Sequence, residues 1–193
     1  MFTPWSYDIA LEDLPPLVSE SDFETMTNGA YSNELLVNTA LAAASAAVRN
    51  VCGWHVAPSA ECVAKVTASG NLAKLPAGYV SAVESVRTRD GSELDIPEWR
   101  HDGLMRSKDF PQTWDGLEVS YTAGFDFEAI PDISYAVVGI AEGVLSLPKG
   151  VASESADGVA ITYLSQAQSI AASMTDAFKS QLAPYRLVSS HGV

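Results

Sequence analysis

The stretch "VRNVCGWHVAP", Val48 to Pro58, sets Cys52, Trp54 and His55 within four residues at the end of an alanine-rich run. Upstream of it, Val37, Leu41, Ala44, Val48 and Val51 recur at steps of four and three, the spacing of one helix face, with Ser32 or Asn33 as the cap. Downstream the period changes to two. In "ECVAKVTA" (61–68), Cys62, Ala64, Val66 and Ala68 alternate with Glu61, Val63, Lys65 and Thr67. Gly53 stands at the change, where a left-handed helix cap is wanted. The stretch therefore marks where a helix ends and a sheet begins.

The helix carries Asn38, Ser45 and Arg49 opposite its apolar stripe, so these three are expected in solvent. A second stripe, Leu36, Ala40, Ala43 and Ala47, is mostly small and would let a partner helix approach closely. Beyond the junction, "VESVRTRDGSEL" (83–94) places Asp90-Gly91 between two short strand patterns, a hairpin signal. "GLEVSYTAG" (116–124) sets Leu117, Val119 and Tyr121 against Glu118, Ser120 and Thr122. Residues 56–123 thus read as an inserted antiparallel β subdomain.

Residues 1–20 read as an extended arm, since Pro4 and Pro15-Pro16 block a long helix. "SDFE" (21–24) predicts a short helix with Ser21 at its cap and Glu24 answering it, stopped by Asn28-Gly29. Pro131-Asp132 opens another helix, with Ile133, Val137, Ile140, Val144 and Leu147 on one face and Pro148 ending it. Gly139 and Gly143 thin one side, for which the alanine stripe is the expected mate. A polar loop over 150–158, a strand at "VAITYL" and a last helix from near Thr175 to before Pro184 complete the chain. The expected fold is α+β: mainly an α-helical bundle core, 21–55 with 124–193, holding the small antiparallel sheet of 56–123.

The charge of −13 is uneven. Residues 1–48 hold seven acids and no Lys or Arg; residues 49–108 hold eight basic and seven acidic residues; residues 109–193 hold ten acids against three bases. Such a balance argues against a protein that grips nucleic-acid phosphates, which requires a basic patch; an acidic surface can repel DNA, or serve solubility alone. Two cysteines, Cys52 and Cys62, make neither a disulfide framework nor a zinc pattern; one bridge between them is open to the chain, but two reduced, part-buried thiols are the expectation and suit a cytoplasm. Residues 1–20 lack the basic start and apolar core of a signal peptide, and the most apolar run, 133–147, is too short to span a bilayer.

Catalysis finds little support. Cys52 and His55 are the best nucleophile and base available, but a dyad needs its members facing each other, and here a glycine separates them. Cys52 extends the apolar edge beside Val48 and Val51, and Trp54 suits a plug at the helix–sheet junction. His101 and His191 stand far from other ligand types, and no phosphate loop, zinc-protease or nucleophile-elbow motif occurs. The pairs Glu12-Asp13 and Asp126/Glu128 read as solvated acids. No catalytic, cofactor or metal residue is assigned. The competing view is a small ligand-binding or hydrolase module on the sheet, with Trp99, Trp114 and Tyr121 as its platform.

"ALAAASAAVRNVCGWHVAP", the alternating strand after it, "LAKLPAGYVSAVESVRTRDGSEL", "WRHDGLMR", "LEVSYTAG", the Pro131-Asp132-Ile133 helix start and "GVASESADGVAITY" follow one another over about 35–190. This ordered series resembles the head-to-tail connector (adaptor) proteins of tailed bacteriophages. The resemblance implies a structural virion protein of the neck, assembled in the host cytoplasm, with no cofactor and no membrane. Its copies would form a ring, dodecameric when mounted on the portal protein. That ring would extend the tunnel through which DNA passes without specific binding, and offer a surface to a stopper or tail-terminator protein. It further implies that the C-terminal segment docks on the portal, here Phe178, Leu182, Tyr185 and Arg186. A stopper or tail-completion protein is the alternative within the same biology.

Overall fold

A computed structural model describes residues 4–31, 35–146, 153–156, 159–162 and 176–187. It has both helices and antiparallel sheets, an α+β chain. The chain divides into two units, residues 1–15, 52–129 and 185–193 in one and residues 16–51 and 130–184 in the other.

The first unit is built on strands β1 (Tyr7–Ile9), β2 (Ala60–Val66), β3 (Leu72–Lys74), β4 (Val80–Thr88), β5 (Glu93–Leu94), β6 (Glu98–Trp99), β7 (Leu104–Arg106) and β8 (Leu117–Ala123). Five of them form an antiparallel sheet in the order β1-β2-β8-β4-β5, and β3-β7-β6 form a second. The alternation read in the sequence is realised in β2 and β8. Cys62, Ala64 and Val66 are buried beside Leu117, Val119, Tyr121 and Ala123, while Glu61, Val63 and Lys65 face out. β4 departs from period two, burying Val80, Val83 and Val86 at every third residue. Register shifts between Val80 and Ala82 and between Val83 and Ser85 absorb the extra residues, as bulges do. The Asp90-Gly91 turn forms as read, with the Gly91 amide donating to Thr88 O at 2.9 Å.

The arm is more than extended coil. Its residues 7–9 are β1, an edge strand whose Tyr7 and Ile9 are buried and lie opposite Ala64 and Cys62 of β2.

The second unit holds α1 (Glu20–Met26), α2 (Val37–Cys52, of which Val37–Val51 belong here), α3 (Pro131–Leu145), the antiparallel pair β9 (Ser153–Ala156) and β10 (Val159–Thr162), and α4 (Asp176–Leu182). The cap of α1 is Ser19, not Ser21. Ser19 Oγ accepts from the Asp22 amide at 3.1 Å and donates to the Asp22 carboxylate at 2.6 Å, so the cap runs through the Ser19 hydroxyl in both directions. Val37, Leu41, Ala44 and Val48 of α2 are buried as expected. Ser45 and Arg49 are buried as well, which corrects the reading of a polar outer face. Ser45 Oγ accepts the Leu17 amide at 2.9 Å, so the hydroxyl satisfies backbone that would otherwise lack a partner.

On α3, Ile133, Val137 and Ile140 are buried, and Leu147 and Pro148 lie outside the described residues. The space at Gly139 is filled by α4: a Cβ there would lie 2.8 Å from Phe178 Cζ. Its mate is therefore this ring rather than the alanines of α2. Leu182 is fully buried, and Gln181 Nε2 donates to Asp132 O at 2.7 Å, fastening α4 to the first turn of α3. The polar run expected to be a loop contains β9. A strand at "VAITYL" is met by β10 over Val159–Thr162.

Candidate functional site

Cys52, Gly53 and Trp54 make a corner in the sheet unit. Gly53 adopts φ +79°, the left-handed cap its position demanded. The backbone turns again at Val56, whose φ of +68° is accompanied by a hydrogen bond from the Ala57 amide to His55 O at 2.8 Å, a γ-turn on a β-branched residue. Phe125 N donates to Val56 O at 2.8 Å and holds that turn against the strand leaving β8.

Trp54 has no exposed surface. Its indole meets the Phe125 ring edge-on at 5.9 Å and the His55 ring at 5.4 Å. The indole nitrogen donates to Tyr185 O at 2.7 Å, and the Leu187 amide donates to Cys52 O at 2.8 Å. Residues 185–187 are thus laid along the corner by two backbone-directed bonds, and the Tyr185 ring sits edge-on to Phe125 at 5.8 Å. Arg186, between them, remains exposed. From the corner the aromatics run on from Phe125 to Tyr79 at 4.7 Å and to His101 at 5.5 Å, where Trp99 closes edge-on.

His55 is fully buried and every ring nitrogen has work to do. Tyr7 OH lies 2.7 Å from Nδ1 and accepts the His55 amide at 3.0 Å, while Nε2 lies 3.1 Å from Ala123 O. A carbonyl can only accept, so Nε2 carries the proton and Tyr7 donates to Nδ1. The histidine stitches β1 to the end of β8, and neither nitrogen is aimed at Cys52. Burial pushes the Cys52 thiol up to about 12, against a smaller lowering by the Arg186 guanidinium. Burial also pushes Cys62 up to about 12, with the Ala123 backbone bond lowering it and Glu84 raising it. Both thiols are protonated near neutrality, so neither is a ready nucleophile.

A stability signature follows. A thiol near pKa 12 when folded and near 9 when unfolded favours the fold fully below pH 9, and the advantage disappears as pH rises from 9 to 12. The denaturation midpoint should hold steady between pH 7 and 8.5 and fall steeply by pH 10.5. In a Cys52→Ala/Cys62→Ala variant that fall should be much shallower.

The proposed platform does not form. Tyr121 is fully buried within the sheet, its ring 6.5 Å from Tyr7, so it cannot share a surface with Trp114, which is 78% exposed. Trp99 is engaged with His101. The sequence had already placed Tyr121 with Leu117 and Val119 on one face, and that periodicity was the better guide. Among the described residues no group of three His, Cys, Asp or Glu could hold a metal, and no helix is long and apolar enough to cross a membrane. His191 lies outside the described residues.

The sequence had signalled the corner through Gly53 and the change of period, but not that residues 185–187 return to it. Nothing in "PYRL" announces that its backbone will receive an indole. No protein-family model matches the chain, and no curated protein does. Solved structures do share its fold. One is a chain in the neck of an empty GTA (phage-like gene transfer agent) particle, computed with C6 symmetry, at TM-score 0.57 and 16% identity over 97% of this chain and 98% of that one. Another is in the neck of a native GTA particle, computed with C12 symmetry, at TM-score 0.51 and 20% identity over 80% of this chain and 85% of that one.

Proposed function

We propose that this chain is a structural neck protein, the head-to-tail adaptor that forms a ring under the portal. The observation that carries the reading is a fold shared along 97% of the chain with a protein of a symmetric particle neck. The ordered motif series agrees with it, and the neutral thiols and fully engaged His55 offer no competing chemistry. In this reading copies of the chain close a dodecameric ring. The ring extends the DNA exit tunnel and presents a surface to a stopper or tail terminator. About twelve copies at −13 would put on the order of 150 negative charges in one ring, which keeps DNA from adhering to its wall.

Docking on the portal through the C-terminal segment falls to Arg186, which is exposed, while the Tyr185 ring packs on Phe125. Leu182 is buried within its own unit and Phe178 packs on Gly139. Deleting the segment would also strip Trp54 of its hydrogen-bond acceptor, so truncation confounds docking with folding. The decisive experiment is co-sedimentation of the full chain with its cognate portal ring, beside Arg186→Glu. The wild-type chain should pellet with the portal, and the variant should lose at least tenfold in affinity with an unchanged melting temperature. Failure of the wild-type chain to bind the portal, with binding to a tail component instead, would replace the adaptor by the stopper.

A further inference from the structure

Lys65 of β2 and Arg87 of β4 flank Glu118 of β8 in one cross-strand row on the outer face of the five-stranded sheet. With Arg89, Trp114 and Asp115 they line a groove of about 460 Å³. Three of the chain's eleven basic side chains meet here, against two carboxylates, in a protein of net charge −13. Among the described residues none of the three cations forms an ion pair, although Arg100, Arg106 and Lys179 each do. Beside them the Trp114 indole stands in solvent. Unpaired guanidiniums next to a bare indole make a surface that lacks its complement.

The opposite end of the same face has the opposite charge. Asp8, Glu61 and Glu84 line a second hollow there, with no basic residue among them. β1 runs antiparallel to β2, from Tyr7 opposite Ala64 to Ile9 opposite Cys62, and the Ala10 amide then bonds Glu61 O. The arm is therefore directed away from the Lys65 end. It continues into Glu12-Asp13, two adjacent exposed carboxylates outside any helix or strand, and then into exposed Pro15. Lys65 and Ala60 are five residues apart, about 17 Å of strand, so the arm lies far from its own chain's groove.

We infer that the cationic groove of Lys65, Arg87, Arg89 and Trp114 receives the Glu12-Asp13 stretch of a neighbouring copy. Two adjacent carboxylates match two guanidiniums at positions i and i+2, each a fork for a carboxylate. The Leu14-Pro15 that follows supplies an apolar group of the kind an exposed indole accepts. A positive patch at one end of a sheet and a negative one at the other is a head-to-tail arrangement. Repeated around an axis, such a contact closes a ring. The inference rests on the ring reading above and names the contact that would close it.

The test is a charge swap in the full chain, with the copy number of assemblies counted by native mass spectrometry, free and on the cognate portal ring. Arg87→Glu/Arg89→Glu alone and Glu12→Arg/Asp13→Arg alone should each raise the midpoint concentration for assembly at least tenfold, with unchanged melting temperatures. Mixed in equal amounts, the two variants should assemble near the wild-type midpoint, because each then offers the other a complementary partner. Normal assembly by either variant alone overturns the inference. So does loss of assembly that mixing does not restore, or a groove variant that assembles normally but loses binding to a duplex DNA fragment. A wild-type chain that stays monomeric both free and on the portal overturns the ring reading itself, an outcome distinct from the others.

Discussion

Replacing Trp54 by alanine should lower the free energy of unfolding by about 3–5 kcal/mol, enough to remove a large part of the stability of an ordinary domain. The side chain is wholly buried, so its loss costs the transfer of a large aromatic and leaves a hole. The hole cannot collapse easily. One wall is Gly78, which has no side chain to advance: a Cβ there would lie 2.8 Å from the indole Cζ2, and the backbone is already as close as the ring permits. The other walls are the Phe125 and His55 rings, held by their own partners. Trp54→Phe separates packing from hydrogen bonding. It restores most of the bulk but leaves Tyr185 O without its donor, and should cost about 1–3 kcal/mol. Hydrogen exchange supplies a second readout. The Leu187 amide, bonded to Cys52 O, should lose protection in Trp54→Ala well before the β2 and β8 amides do. Equal loss at all these sites would mean that the C-terminal segment is not held separately by this indole.

The corner itself was legible because its causes are local. A helical stripe ends, a glycine follows, and alternation begins, so Gly53 and Trp54 can be placed from a dozen residues. The β4–β5 turn was legible for the same reason, through Asp90-Gly91. What was not legible depends on partners distant in sequence. The three residues of β1 have no strand signal of their own; their hydrogen bonds come from residues 62–64, and His55 secures Tyr7 from a third place. Ser45 and Arg49 obey the helical period as an outer face, but the Leu17 amide arrives at Ser45 from residues 28 positions earlier and turns a polar face into an interior one. In β4 two bulges stretch the period to three, which no count of alternating residues can anticipate. The cap of α1 was a closer contest: Ser19 and Ser21 both precede an acid by three residues, and it is the Ser19 hydroxyl that takes up the Asp22 amide. The cationic groove assembles from three segments that carry no motif between them.

Gly124→Ala should be nearly as damaging as loss of the tryptophan, at about 2–5 kcal/mol, and a second glycine shows why. Gly91 has φ +88° in the β4–β5 turn, with nothing within 4 Å of where a Cβ would stand. Gly91→Ala therefore isolates the conformational cost of a left-handed backbone, about 1–2 kcal/mol. Gly124 has φ +111° and adds a collision. Its Cβ would fall 2.4 Å from Pro58 O and 2.8 Å from His55 Nε2, and the first of these is backbone that no side-chain rotation can clear. The Val56–Pro58 turn must therefore shift, and unless that shift also clears Nε2 the His55 ring must move as well. Movement of the ring would strain the bonds it makes to Ala123 O and Tyr7, and with them the attachment of β1. The excess of Gly124→Ala over Gly91→Ala, measured by chemical denaturation, reads that steric part and should be at least about 1 kcal/mol. If His55 is the member that yields, Tyr7→Phe should cost much less in the Gly124→Ala background than in the wild-type chain, since the bond it removes is already broken. Equal costs in the two backgrounds would place the movement in the Val56–Pro58 backbone instead, with the histidine left in register.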